Sequence, residues 1–191
     1  MAILVVVAAF WGPSNLCASE PGRNWVTGLS VSAGSMTEGS WEQALGLESG
    51  FKLSKPRLLS LGLWAERPVL SERTVLGVEF NGLYHSDGKD SFVEISLPVI
   101  ARYRAIDPWL PIQGAAFGLG VSWASEIPPL EIERKGDSAQ LLIHWLAEVE
   151  LGRPQWRYTP FLRLHHRSDA WGVVDVDTGS NGFLLGLRLA F

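Results

Sequence analysis

The chain contains one cysteine, Cys17, and no second to pair with it, so a disulfide framework is excluded. Long apolar runs are missing too. A membrane helix needs about 20 apolar residues in succession, and the N-terminal run from Ala2 to Trp11 is too short to supply them. There is no basic excess: 16 Lys and Arg stand against 20 Asp and Glu, a net charge of −4, which argues against nucleic acid as a partner. Glycine-rich phosphate loops and zinc-ligand spacings are absent, so neither a nucleotide nor a metal cofactor is expected. What is abundant is glycine (20), tryptophan (9) and apolar side chains (47%), a combination that suits a β-rich protein with close backbone approaches.

The opening "MAILVVVAAFWGPSNLCASE" has an apolar core, a Gly-Pro break and small residues near Ala18 and Ser19. It is expected to be a signal peptide over residues 1–19, although its first residues carry no Lys or Arg. Asn15 and Leu16 do not fit the small residues that precede a lipidated cysteine, so Cys17 is expected to leave with the signal. Residues 20–191 then form a single domain.

Period-two alternation recurs along that domain. Leu59, Leu61 and Leu63 share a face opposite Ser60, Gly62 and Trp64. Val93, Ile95, Leu97 and Val99 oppose Glu94, Ser96 and Pro98, and Phe117, Leu119 and Val121 oppose Gly118, Gly120 and Ser122. Ile143, Trp145 and Val149 oppose His144, Glu148 and Glu150, while Phe183, Leu185 and Leu187 oppose Gly186 and Arg188. The pattern predicts eight strands of about ten residues, the length of a tilted membrane strand. "ALGLESGFKL" is assigned to a long first loop.

A soluble barrel turns its apolar faces inward, and a membrane barrel turns them out. The polar faces collect Glu79, Glu94, Arg102, His144, Glu148, Glu150, Arg163 and Arg188 among many glycines. A narrow interior requires such glycines to make room for paired charges; a water-facing surface does not. Trp25, Trp123, Trp145, Trp171, Tyr103 and Tyr158 supply candidate interfacial girdles, and the last strand ends on Phe191, similar to the outer-membrane assembly signal. The expected fold is all-β, an eight-stranded antiparallel outer-membrane β-barrel. "ERPVLSE", "AIDPW" and "GRPQ" then become periplasmic turns. "TEGSWEQALGLESGFKLSK", "ASEIPPLEIERKGD" and "DAWGVVDVDTGSN" become external loops, with "HSDGKD" a short fourth.

The seventh strand, "WRYTPFLRLHHRS", ends at the external side. Tyr158, Pro160, Leu162 and Leu164 form its apolar face; Arg163, His165 and Arg167 form its polar one, and Phe161 breaks the polar series. Parity places His166 and Ser168 on the lipid-directed side. Polar groups at membrane depth need a local reason. Two residues apart on one face, they are close enough to form the Ser–His hydrogen bond of an activated nucleophile.

"HHRS" at the outer end of a penultimate strand resembles the lipid A 3-O-deacylases of the PagL type, outer-membrane barrels with an H-x-S pair on the outer wall and an acidic residue about a dozen positions later. The resemblance implies a serine esterase acting on lipid A in lipopolysaccharide without a metal. It implies that Ser168 attacks the ester at position 3, with His166 taking the serine proton and passing it to the leaving hydroxyl. Two positions depart from the family pattern. The acid is replaced by "DVDTGSN", where Asn181 shares the parity of Phe183 and so faces outward, with Asp177 and Ser180 as further candidates. Asp169 stands where the family carries Asn, and an ionised carboxylate cannot donate to an oxyanion. The alternative is a non-catalytic outer-membrane barrel working through its loops.

Three further features have plainer expectations. Glu126, Glu131, Glu133, Arg134, Lys135 and Asp137 are expected to form a solvated loop rather than a cation site. Arg163, Arg167 and Arg188 are expected to pair inside with Glu148 and Glu150, and His85 is expected to lie in a loop.

Overall fold

The alternating runs pair as antiparallel neighbours among the described residues. The structure, a computed structural model, describes residues 25–44, 46–104, 111–153 and 156–191. Its strands are β1 (Val26–Glu38), β2 (Lys52–Ser71), β3 (Thr74–Ser86), β4 (Ser91–Arg104), β5 (Ile112–Ala124), β6 (Leu141–Leu151), β7 (Tyr158–Ser168) and β8 (Gly179–Ala190). Two short helices occupy the long connections, α1 (Trp41–Ala44) after β1 and α2 (Pro129–Lys135) after β5. The strands pair in sequence order, and β8 returns to β1 from Gly28↔Ala190 to Met36↔Gly182, closing an eight-stranded barrel. The expected signal peptide and the "AIDPW" turn lie outside the described residues, as does part of "GRPQ".

One turn is tighter than its sequence indicates. β2 continues for 20 residues through Pro68, so "ERPVLSE" is mostly strand and only Glu72 and Arg73 separate β2 from β3. A register shift between Pro68 and Ser71 accommodates the proline, which cannot donate to the ladder. In the β3–β4 turn, the backbone N–H groups of Lys89 and Asp90 donate to the Asp87 carboxylate and hold its pKa below the usual range. His85 lies within β3 rather than in the loop, and its ring packs inside against Phe92.

The barrel is apolar outside and charged inside. Phe117 and Leu185 are 53% and 59% exposed on the outer wall, whereas Glu79, Glu94, Glu148, Arg102 and Arg163 are buried. Arg163 donates to Glu148 at 2.8 Å and, through both terminal nitrogens, to Glu79 at 3.0 Å. Arg102 reaches Glu148 at 2.8 Å and Glu150 at 2.6 Å, and Arg188 reaches Glu148 at 3.2 Å. Gly62 makes room for this cluster: a Cβ there would lie 2.3 Å from Ser30 Oγ and 2.6 Å from Glu79 Oε1. A continuous apolar exterior around paired interior charges is stable in hydrocarbon and costly in water.

Removing one charge from this network leaves its partners buried and unpaired. Arg163→Met is therefore expected to destabilise the barrel by about 3–5 kcal/mol. Urea unfolding in detergent micelles measures the loss; an unchanged midpoint contradicts the ion-pair account of the interior.

Candidate active site

Alternation along β7 directs Arg163, His165 and Arg167 inward, together with Phe161, over which the Arg163 guanidinium sits at 4.9 Å. His165 Nε2 lies 2.9 Å from Glu94 Oε1, and the same carboxylate takes His85 Nε2 at 2.8 Å on its other oxygen. Behind them, His144 Nδ1 donates to the backbone carbonyl of His166 at 2.9 Å. The inner face thus braces the strand whose outer face carries His166 and Ser168.

On β8 the cross-strand partner of His166 is Asn181, and that of Ser168 is Gly179. All four residues share the outward face. His166 Nδ1 is 2.7 Å from Asn181 Oδ1. The Asn181 amide nitrogen donates to the backbone carbonyl of Gly39 at 3.2 Å. A carbonyl can only accept, so the Gly39 contact fixes which end of the amide faces His166. The amide oxygen then requires a proton on Nδ1, and Nε2 is left with the lone pair. In this tautomer the histidine is ready to act as a base.

Gly179 keeps the space beside this pair open. A Cβ on it would lie 3.4 Å from Ser168 Cβ and 3.8 Å from His166 Cε1, ordinary contact distances, so any longer side chain would occupy the gap between serine and imidazole. Gly179→Leu is expected to leave the barrel folded and to lower any serine-dependent turnover at least tenfold, since even small displacements of reacting groups are costly. Turnover equal to wild type contradicts this placement of the reacting groups.

The serine itself departs from expectation. Ser168 Oγ accepts from the Ala170 N–H at 3.3 Å, and no hydrogen bond joins it to His166 among the described residues. Catalytic hydrogen bonds are often long before substrate binds. The turn that follows is left-handed at Ala170 (φ 54°), Trp171 (φ 58°) and Gly172 (φ 87°). The Asp169 carboxylate accepts from the Gly172 N–H at 2.8 Å and so shapes this turn. Two consecutive non-glycine residues in this region are costly, a cost that characteristically collects at functional sites.

The pair is not bare to lipid, as parity alone implies. His166 is 8% exposed and Asn181 3%. Trp145, the cross-strand partner of His166 on β6, lies against the imidazole with 4.6 Å between ring centroids. Trp41 of α1 stands edge-on to Trp145 at 6.0 Å, and Phe117 stacks on the same indole at 6.0 Å. Trp145 is therefore a wall of the site rather than a girdle residue.

The other candidates for the third position fall elsewhere. Ser180 faces inward and donates to Glu131 at 2.6 Å, and Asp177 is exposed with Lys135 at 3.5 Å. Arg167 pairs with Glu131 of α2 rather than with Glu148 or Glu150. The segment read as a solvated loop therefore holds a helix with one fully buried carboxylate. Among the described residues, no group of three or more His, Cys, Asp and Glu is placed to hold a metal ion. Sequence reasoning missed Gly39, Trp41 and Gly179. Of these only Gly179 had a signal, its shared parity with Asn181.

No family model matches the chain, and no curated protein matches it in sequence. Among solved structures it is similar to the outer membrane enzyme PagL, with a TM-score of 0.57 and 14% sequence identity over 87% of this chain and 99% of that one. At this identity the likeness is one of fold.

Proposed function

We propose that the chain is an outer-membrane serine esterase that removes the 3-O-linked acyl chain of lipid A. The observation that carries this reading is the Asn181 amide held between Gly39 O and His166 Nδ1, which leaves Nε2 free as a base on an apolar outer wall. The similarity in fold to an outer membrane enzyme supports the location.

In this reading Ser168 Oγ attacks the ester carbonyl while His166 Nε2 takes the hydroxyl proton. The carbonyl becomes an oxyanion, and the Ala170 N–H, which donates to Ser168 Oγ at 3.3 Å, is a backbone donor beside the attacking atom that could turn to it. Collapse breaks the bond to the sugar oxygen, which leaves with the proton from Nε2. Water then attacks the acyl-serine, giving its proton to Nε2. The fatty acid departs and the proton returns to Ser168. Asn181 holds the ring and its tautomer, and the buried pair excludes competing water partners. Trp145, Phe117 and Trp41 offer an apolar surface to the acyl chain.

Mass spectrometry of lipid A from cells with and without the protein tests the reading. The expected product has lost one hydroxyacyl chain from position 3, and unchanged acylation contradicts it. The hydrogen bond of Ser168 to Ala170 in place of His166 favours a second reading, a non-catalytic surface barrel. Under that reading, loop deletions alter the phenotype and Ser168 substitutions do not.

A further inference from the structure

We propose that Glu131, carried into the barrel mouth by α2, is a positioning residue that holds the outward-facing Ser168–His166–Asn181 site from inside the wall; the catalytic part of this inference rests on the esterase reading. The cross-strand pair Arg167↔Ser180 lies between His166↔Asn181 and Ser168↔Gly179. Strand alternation sends the middle pair inward and the flanking pairs outward. Whatever grips Arg167 and Ser180 therefore fixes the separation and register of the two strands where the site is built.

Glu131 provides that grip. It is 0% exposed. Its Oε1 accepts from Ser180 Oγ at 2.6 Å and faces Arg167 Nε at 3.1 Å, an ion pair whose N–H points off the hydrogen-bond line. Its Oε2 accepts from Ser138 Oγ. The Arg167 guanidinium is held a second time by the same connection, donating through Nη2 to Ala139 O at 2.9 Å and Gln140 O at 3.2 Å. The helix is itself tied down: Pro129 opens it, Gly136 ends it at φ 80°, and Arg134 donates to the carbonyl of Thr37 on β1. Thr37 Oγ1 in turn donates to Asn181 O at 3.4 Å.

The placement matters because β7 and β8 end here. Ser168 is the last residue of its strand and Gly179 the first of its own, where ladder bonds open most readily. A buried carboxylate and guanidinium cannot separate without leaving both charges unpaired in the interior. The contact thus holds the strand ends closed at the point where small displacements of reacting atoms lower rates most.

The test uses the full chain refolded in detergent micelles. Two measurements are made on wild type, Glu131→Gln, Arg167→Met, the double variant of these two, and Ser180→Ala. The first is amide hydrogen exchange, which needs no activity. The clamp predicts exchange about tenfold faster or more at residues 166–168 and 179–181 in Glu131→Gln, with the central residues of β3 and β4 unchanged. The second is hydrolysis of a p-nitrophenyl ester of a medium-chain fatty acid. Here kcat is expected to fall about tenfold or more with KM within about twofold. The Glu131→Gln, Arg167→Met double variant is expected to lose no more than the worse single variant, because the two act as one unit. Exchange unchanged at the strand ends overturns the clamp, as does an unchanged kcat or losses that multiply. Ser180→Ala keeps the ion pair to β7 but cuts the link from Glu131 to β8. Faster exchange at residues 179–181 is expected from it as well, and unchanged exchange there overturns the clamp if Glu131→Gln does not fold. A wild type without turnover counts against the esterase reading alone, and exchange then still decides the clamp.

Discussion

Ser168→Ala in the purified, folded protein is expected to lower ester hydrolysis about a thousandfold or more, because in the esterase reading it deletes the nucleophile and with it the covalent route. The substitution deletes a single hydroxyl that is half-buried at a strand end and accepts one backbone hydrogen bond. Its structural cost is accordingly small. The variant should match wild type in gel migration with and without heating and in urea midpoint, so that chemistry and stability separate cleanly. Turnover of a medium-chain p-nitrophenyl ester measures the effect. A variant as active as wild type would move any hydrolysis to another residue and leave the outer-wall serine without a role.

Asn181→Asp is expected to lower turnover about tenfold to a hundredfold near pH 8, even though a carboxylate supports an imidazolium better than an amide does. The reason is the second contact of the side chain. Asn181 donates to Gly39 O at 3.2 Å while accepting from His166 at 2.7 Å. An ionised Asp has only acceptors, so one oxygen would face the carbonyl of Gly39 in a site that excludes water. A protonated Asp carries an O–H that restores both contacts. The deficit relative to wild type is thus expected to shrink as pH falls through the carboxyl pKa and to grow as pH rises above it. Asn181→Leu removes both contacts and should be worse at every pH. A pH–rate profile of the three proteins checks the sign. A gain in rate for Asp at pH 8 would mean that charge outweighs orientation and that the Gly39 contact is unimportant.

The candidate site is divided between strands and loops. The strand share was legible in the sequence. Side chains alternate with a period of two, so a residue's face follows from counting. His166, Ser168 and Asn181 share the outward face of adjacent strands for that reason, and the charged residues enclose one another. The loop share was not legible. Gly39 meets Asn181 across 142 residues of sequence, and nothing local to either residue records the contact. Glu131 lies in a segment dense with charges, and composition cannot say which one of them enters the barrel. His85 illustrates the same limit at a strand end, where "YHSDG" has the composition of a turn yet His85 still pairs inside with Glu94. Pro68 misled in the opposite sense, since a bulge lets β2 run on past it.

The measurement that bears most directly on the account is covalent labelling of the refolded protein with an alkyl fluorophosphonate, followed by peptide mapping. An outward-facing serine activated by His166 predicts one adduct, on Ser168, and its loss in His166→Phe. A protein that takes up no label, or takes it on a different serine, would contradict the proposal that this barrel carries its chemistry on its outer wall.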